Sequence, residues 1–244
     1  MNIDTEENWQ GHKEILLILA HPDDPEFFMG GTIARWVAQG HTVRYVLLTK
    51  GDKGAVDETI TPTALMAMRV KEQNNAAQVL GVKSVEFLDY PDGMIWPDLE
   101  IRRTIVRMIR KYRPDVLVTS DPGYLITNHH KINHPDHRYT GQVVLDAVFP
   151  AAGNRLYFPD LLNEGLVPHE VDEVWLSLTD QPDIRLDVTQ YWEKKLSALR
   201  CHISQIADPE TFEKQRIEGL RLAPGQAFKT EETFRRIQFR RPNS

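Results

Sequence analysis

"EILLILAHPDDPEFFMGGTIARWVAQG", residues 14–40, carries the reading of the fold. Ile15 to Ala20 contain no polar side chain. A short continuous apolar run suits a strand buried on both faces, as in a parallel sheet. From Gly30 onward the apolar residues follow helical spacing, and Gly40 supplies the stop. Between strand and helix the chain places His21, Asp23, Asp24 and Glu26. Turns favour Asp and Pro, so Pro22-Asp23-Asp24-Pro25 alone reads as a tight exit loop. An imidazole and three acids go beyond what such a loop requires.

The same alternation continues along the chain. Strands are expected at HTVRYVLLT (41–49), SVEFLDY (84–90), DVLVTS (115–120) and DEVWLSL (172–178). Helices are expected at TALMAMRVKEQNNAAQVLG (63–81), LEIRRTIVRMIRKYR (99–113), HRYTGQVVLDAVFPA (137–151) and, as one long element, VTQYWEKKLSALRCHISQI (188–206). Strand–helix alternation with continuous apolar strands indicates an α/β protein: a Rossmann-like, doubly wound, mostly parallel sheet with helices on both faces. A single domain over 1–244 is expected, with a core at about 12–206 and a C-terminal extension at 207–244. The basic end FRRIQFRR (234–241) reads as a solvated or subunit-packing tail.

In an open α/β sheet, ligands bind outside the carboxyl ends of the strands. Four loops leave the first four strands at that rim: His21–Met29, TKGDKG (49–54), DYPDGM (89–94) and SDPGYLITNHHKINHPDH (120–137). His21-Pro-Asp-Asp24 and His134-Pro-Asp-His137 echo each other there and supply three histidines and three aspartates. Asp24 follows His21 by three residues, so one turn can aim both at a single ion, and His134 or His137 can complete the set. A catalytic zinc site takes three such N or O ligands and keeps one position open. Imidazole and carboxylate without thiol suit Zn²⁺, with Fe²⁺ or Mn²⁺ as alternatives.

Blander readings apply to each piece taken alone. Asp23–Asp24 is an ordinary turn or helix N-cap, and His-x-x-His is common on helix surfaces. His129 and His130 read as solvated, and Cys201 as core or near-core. Gly30-Gly31 is not a dinucleotide loop, because no GxGxxG follows the first strand. TKGDKG lacks the phosphate-loop pattern, and no GxSxG elbow offers a covalent nucleophile. Of the apolar residues Phe27, Phe28 and Met29, at least two are expected in the core and the remainder on a pocket wall. Trp96 is a candidate aromatic platform. The single cysteine excludes an internal disulfide and any Cys-rich metal site. A net charge of -6 gives no global attraction to nucleic acid or an anionic membrane. With no long apolar run and a polar N-terminus, a cytoplasmic protein is expected.

AHPDD, GGTIA and HPDH, in this order, resemble the LmbE-like or PIG-L family of zinc-dependent N-acetylglucosaminyl deacetylases. LLTKGDKG, MRVKEQNNAAQVLGV with Arg69 and Glu72, LDYPDGM with Asp92, LYFPDLL, ALRCHISQ and EETFRRI extend the resemblance over most of the chain. It implies removal of the acetyl group from an N-acetylated amino sugar conjugate by metal-activated water. His21, Asp24 and His137 then match the metal ligands and Asp23 the general base. His134 matches the group that stabilises the oxyanion or protonates the leaving amine. Asp136 becomes a carboxylate orienting an imidazole, and Arg69 and Asp92 match substrate-contacting positions. The partner implied is a small N-acetyl amino sugar conjugate, with no nucleic acid and no membrane. Self-association, up to a hexamer, is implied as well. Two positions depart from the family pattern. Pro25 displaces the acid that follows the second aspartate, so that it becomes Glu26, for which capping the GGTIA helix is one role. Ile132 stands where sugar-conjugate enzymes carry a tyrosine, for which Tyr124 or Tyr139 could substitute. Two other function classes fit the residues: a metal-dependent amidohydrolase on a non-sugar N-acyl substrate, and a non-catalytic Rossmann-like binding module.

Overall fold

The computed structural model describes residues 3–55, 59–127, 131–206, 208, 211–212, 214 and 228–239. Strands β1 (Glu14–Leu19), β2 (Thr42–Thr49), β3 (Ser84–Tyr90) and β4 (Val116–Ser120) alternate with helices α1 (Asp24–Ala38), α2 (Pro62–Leu80) and α3 (Leu99–Tyr112). A short antiparallel hairpin, β5 (Ile126–Thr127) and β6 (Lys131–Ile132), precedes α4 (Pro135–Asp146) and α5 (Asp160–Asn163). The chain continues through β7 (Glu173–Ser177), β8 (Ile184–Asp187), α6 (Trp192–Leu199) and β9 (Glu231–Gln238). One seven-stranded sheet runs in the order β3-β2-β1-β4-β7-β9-β8. Its first five members pair in parallel, and β9 runs antiparallel to both β7 and β8. The expected doubly wound, mostly parallel sheet is therefore present.

The parity of β1 explains the two layers. Ile15, Leu17 and Leu19 face a core shared with Ile33, Trp36 and Leu80 of α1 and α2. Leu16, Ile18 and Ala20 face the opposite core, with Ile105 and Ile109 of α3 and Val143 of α4. Period-two alternation sends successive side chains to opposite faces, so an all-apolar strand must be covered on both. Burial of each Leu or Ile contributes about 1.5–3 kcal/mol. Local signals set the helix ends. Thr61 caps α2 through the Ala64 N–H, and Gly81 closes it at φ 83°. Asp98 caps α3 by accepting from Glu100 and Ile101.

Three expectations need correction. Helix α1 starts at Asp24, six residues before Gly30, because Pro25 suits a first helical turn. Its backbone breaks at Met29 (φ -149°), and the Glu232 carboxylate accepts the N–H groups of Gly31 and Thr32 at 3.1 and 2.7 Å. That carboxylate belongs to β9, so the basic end is not a solvated tail: residues 234–238 lie inside the sheet, with Phe234 fully buried. The expected long helix over 188–206 is a 3-10 turn (Thr189–Tyr191), α6 and a second 3-10 turn (Ile203–Gln205). Strand β8, not expected from the sequence, closes the sheet edge. Cys201 is partly buried against the core, as expected. His129 and His130 lie outside the described residues. Among the described residues no helix is long and apolar enough to cross a membrane.

Candidate active site

The loops leaving β1 to β4 converge on a cavity of about 340 Å³. Its wall includes His21, Asp23, Asp24, Phe27, Phe28, Gly54, Arg69, Asp92, His134 and His137. Met29 is fully buried in the core, whereas Phe27 and Phe28 both reach the cavity while packing on core clusters. Trp96 is exposed and stacks edge-on against Tyr139 at 5.0 Å, away from that wall. Ile132 is exposed on the hairpin, and neither Tyr124 nor Tyr139 is part of the wall.

The β1 loop is held in an uncommon conformation. Asp23 has φ 90°, a region that costs a non-glycine residue about 1–3 kcal/mol. Several bonds fix it there. The Asp23 N–H donates to Gln73 Oε1 at 2.7 Å, and its carbonyl accepts from the N–H groups of Glu26 and Phe27. Arg69 Nη2 donates to Asp23 Oδ2 at 3.2 Å and to the Pro22 carbonyl at 2.7 Å. Gly51, at φ +69°, makes room for that guanidinium: a Cβ there would sit 2.2 Å from Arg69 Nη1. The β2 loop also braces β3, since Asp52 accepts the Asp92 N–H and Lys53 donates to the Asp92 carbonyl. TKGDKG is thus a brace among these loops.

Two imidazoles and one carboxylate meet in the cavity. His137 Nε2 lies 3.1 Å from Asp24 Oδ1, and His21 Nδ1 lies 3.6 Å from Asp24 Oδ2. One donor atom from each of His21, Asp24 and His137 falls within 4.8 Å of the other two. The remaining ring nitrogens are occupied. His21 Nε2 lies 3.2 Å from both Asp136 Oδ2 and Asp92 Oδ1. His137 Nδ1 donates to Asn133 Oδ1 at 3.1 Å, and Asn133 Nδ2 donates to the Tyr124 carbonyl, which fixes the amide's direction. Such outer partners orient ligating imidazoles. The donor chemistry and the spacing fit a divalent ion held by N and O ligands. A second group, His21, His134 and Asp136, also brings one donor atom from each residue within 4.8 Å of the other two. It is the weaker candidate, because Asp136 is fully buried and its two oxygens already accept the Gly93 and Ile95 N–H groups.

Charge is tuned across the cluster. Burial favours the neutral acid at Asp24, but the charges and hydrogen bonds of His137 and His21 outweigh it and hold its carboxyl far below the usual range. Burial opposes the His21 imidazolium, yet Asp24, Asp136 and Asp92 together raise it well above 6.5. Asp23 is pushed up to about 6, mainly by burial, with Arg69 pulling the other way and Asp24 adding to the rise. Burial and the neighbouring His21 and His137 lower His134. His134 caps α4 by accepting the Asp136 N–H at Nδ1, which leaves the neutral ring's proton on Nε2.

All eight residues singled out from the sequence border this cavity or touch a residue that does: His21, Asp23, Asp24, Arg69, Asp92, His134, Asp136 and His137. Arg69 and Asp92, expected to contact substrate, are engaged inside the protein, Arg69 with the HPDD loop and Asp92 with His21. Glu26 does not cap the GGTIA segment. It is fully buried in the first turn of α1 and accepts from Gln73, His202 and Tyr45. Asn133, Gln73 and His202 were missed. The four-residue spacing of Asn133 and His137 is a weak local signal; Gln73 and His202 lie in MRVKEQNNAAQVLGV and ALRCHISQ, which carry the family resemblance without pointing to a role for either residue.

The PIG-L family profile, described as GlcNAc-PI de-N-acetylase, matches residues 16–148. Diacetylchitobiose deacetylase of Thermococcus kodakarensis is 35% identical over 196 residues, covering 80% of this chain and 71% of that protein. A Bacillus anthracis protein named as probable N-acetyl-alpha-D-glucosaminyl L-malate deacetylase 2 is 29% identical, over 86% of this chain and 88% of its own length. The crystallised N,N'-diacetylchitobiose deacetylase of Pyrococcus horikoshii superposes with a TM-score of 0.82 at 33% identity, covering 93% of this chain and 84% of that one. The HPDD and HPDH loops that meet at the cavity both lie inside the matched segment, and the chain belongs to the PIG-L family of de-N-acetylases.

Proposed function

We propose that the protein is a metal-dependent de-N-acetylase that hydrolyses the acetamide of an N-acetylglucosamine-type conjugate. The observation that carries this reading is the convergence of His21, Asp24 and His137 beside Asp23 and His134 in one cavity. The relatives named above, deacetylases of diacetylchitobiose and of an N-acetylglucosaminyl malate, support the substrate class. His21, Asp24 and His137 would hold the ion, with zinc as the first choice for this donor set. When bound, such an ion supplies a Lewis acid that acidifies water and polarises a carbonyl.

The chain's own groups supply the rest. Asp23 takes the proton of the attacking water as general base. Arg69 keeps that carboxylate in place and shields it from Asp24. The Nε2–H of His134 donates a hydrogen bond to the acetyl oxygen as negative charge develops there, and the proton taken up by Asp23 passes to the departing amine. Asp136 and Asn133 hold the rings of His21 and His137 at the angle ligation needs. Phe27 and Phe28 form the apolar wall that limits water around the scissile amide.

Incubation of metal-loaded protein with diacetylchitobiose, N-acetylglucosaminyl malate and N-acetylglucosaminyl inositol tests the substrate class. Equal amounts of acetate and free amine are expected from at least one of them. Turnover confined to N-acyl amino acids would move the assignment to the non-sugar amidohydrolases. Loss of about 10²–10⁴-fold in kcat for D23N, with metal retained, is the expected signature of the base.

A further inference from the structure

We infer that Gln73, locked by Glu26 and His202, is a positioning residue that holds the Asp23 backbone where its carboxylate faces the cavity. The inference rests on the reading of Asp23 as the general base.

Gln73 lies inside α2 and is fully buried. A buried amide must satisfy both of its ends, and here each end has a different task. Its Oε1 accepts the Asp23 N–H at 2.7 Å. Its Nε2 donates to both oxygens of Glu26, at 3.1 and 3.0 Å. A carboxylate only accepts, so Glu26 dictates which end of the amide faces it. Oxygen is thereby left facing Asp23, and the chain of bonds has a single direction. Glu26 is itself anchored: His202 Nε2 donates to it at 3.1 Å and the Tyr45 hydroxyl at 3.3 Å. His202 is buried in the turn after α6, so the chain ties three segments distant in sequence to one backbone N–H.

That N–H belongs to the residue with the positive φ. Without an acceptor for it, the α2 side would hold Asp23 only through Arg69, which grips the Pro22 carbonyl and the Asp23 carboxylate but not this N–H, and relaxation toward an ordinary φ would be less opposed. Such relaxation would swing the carboxylate away from Arg69 and from the attacking water. Gln73 and Glu26 are not part of the cavity wall, so they act through Asp23 rather than on substrate. Glu26, the acid that follows Pro25, is the fixed end of this chain of bonds.

The test compares kcat, KM and metal content per folded molecule for metal-loaded wild type, D23N, Q73M, Q73E and the double variant Q73E/E26Q. The substrate is an N-acetylglucosamine conjugate that the wild type turns over. Q73M removes both polar ends and is expected to lower kcat about 10–100-fold, the scale of a small misplacement of a reacting group, with KM and bound metal little changed. Q73E sets two carboxylates against each other and is expected to lose a similar factor. In Q73E/E26Q the donor and acceptor are exchanged: residue 73 still accepts from Asp23, and residue 26 donates to it. Recovery of most of the kcat lost in Q73E supports the inference, and a purely structural role would not produce it. Wild-type kcat in Q73M beside a dead D23N would overturn it, as would a double variant no better than Q73E. Should Q73M not fold, the comparison of Q73E with the double variant decides. Wild-type kcat in D23N would overturn the base assignment, and this inference with it.

Discussion

His137 Nε2 lies 3.1 Å from Asp24 Oδ1, which brings the HPDD and HPDH motifs into contact although 113 residues separate the pair. His134, in the second motif, instead uses Nδ1 to cap α4. The two histidines of HPDH therefore differ in what replacement removes. H137A is expected to lose most bound metal while H134A keeps it, as read by elemental analysis of the purified proteins. N133A, which frees the far nitrogen of His137, is expected to weaken metal affinity about 10–100-fold. Full occupancy in H137A together with loss in H134A would assign the third ligand to His134.

Metal binding should release protons. Although burial opposes its charge, His21 is held well above 6.5 by Asp24, Asp136 and Asp92, which favours the imidazolium in metal-free protein. A ligating nitrogen must lose its proton, so ion binding should release protons, and affinity should rise with pH. Asp24 is already ionised and contributes none. Zinc titration calorimetry in buffers of different ionisation enthalpy counts the protons. A count of zero at pH 7 would contradict the charge state assigned to His21.

The pair His202–Glu26 gives stability a pH dependence. Burial lowers His202, but the hydrogen bond and charge of Glu26 outweigh it, so its folded pKa is above the ordinary 6.5. A raised folded pKa stabilises fully below the unfolded pKa, and the contribution fades as pH rises through the folded value. The stability gap between wild type and H202Q should thus be largest below pH 6.5. It is expected to be about 1.5–3 kcal/mol there, the range for hydrogen bonds to charged groups. Urea melts from acid to alkaline pH should show the gap closing; a gap that widens with pH would contradict it.

Gly51 couples backbone geometry to the base. An alanine there must adopt φ +69° and place its Cβ on the Arg69 guanidinium. The left-handed conformation costs about 1–2 kcal/mol, and displacing Arg69 removes the Asp23 partner. G51A should therefore lose both Tm and kcat. Loss of Tm alone would mean that Arg69 finds another route to Asp23.

The first four strands and the faces of α2 and α3 were legible because period and burial agree there. HPDD and HPDH were legible because they cluster chemistry at strand ends. The start of α1 was misread because Asp-Asp-Pro signals a turn and a helix N-terminus equally, and tertiary contacts decide between them. Strand β9 hid behind its charges: Glu232, buried under Lys195 and the kink of α1, breaks the apolar alternation a strand would show. Gln73 and His202 act through partners far away in sequence, and no local spacing marks their roles; Asn133 acts through one side-chain bond to His137, marked only by their four-residue spacing. Pro25–Glu26 raised a question that only the packing of α2 and α6 against α1 could answer.

Acetate release is the most direct measurement of the central claim. Protein stripped with a chelator, reloaded with one equivalent of zinc, and offered the three N-acetylglucosamine conjugates should release acetate and amine in equal amounts. Activity should vanish on stripping, return on reloading, be absent from H137A and fall about 10²–10⁴-fold in D23N. Acetate release that persists unchanged in metal-free protein, or in D23N, would contradict a metal-dependent de-N-acetylase built on His21, Asp24, His137 and Asp23.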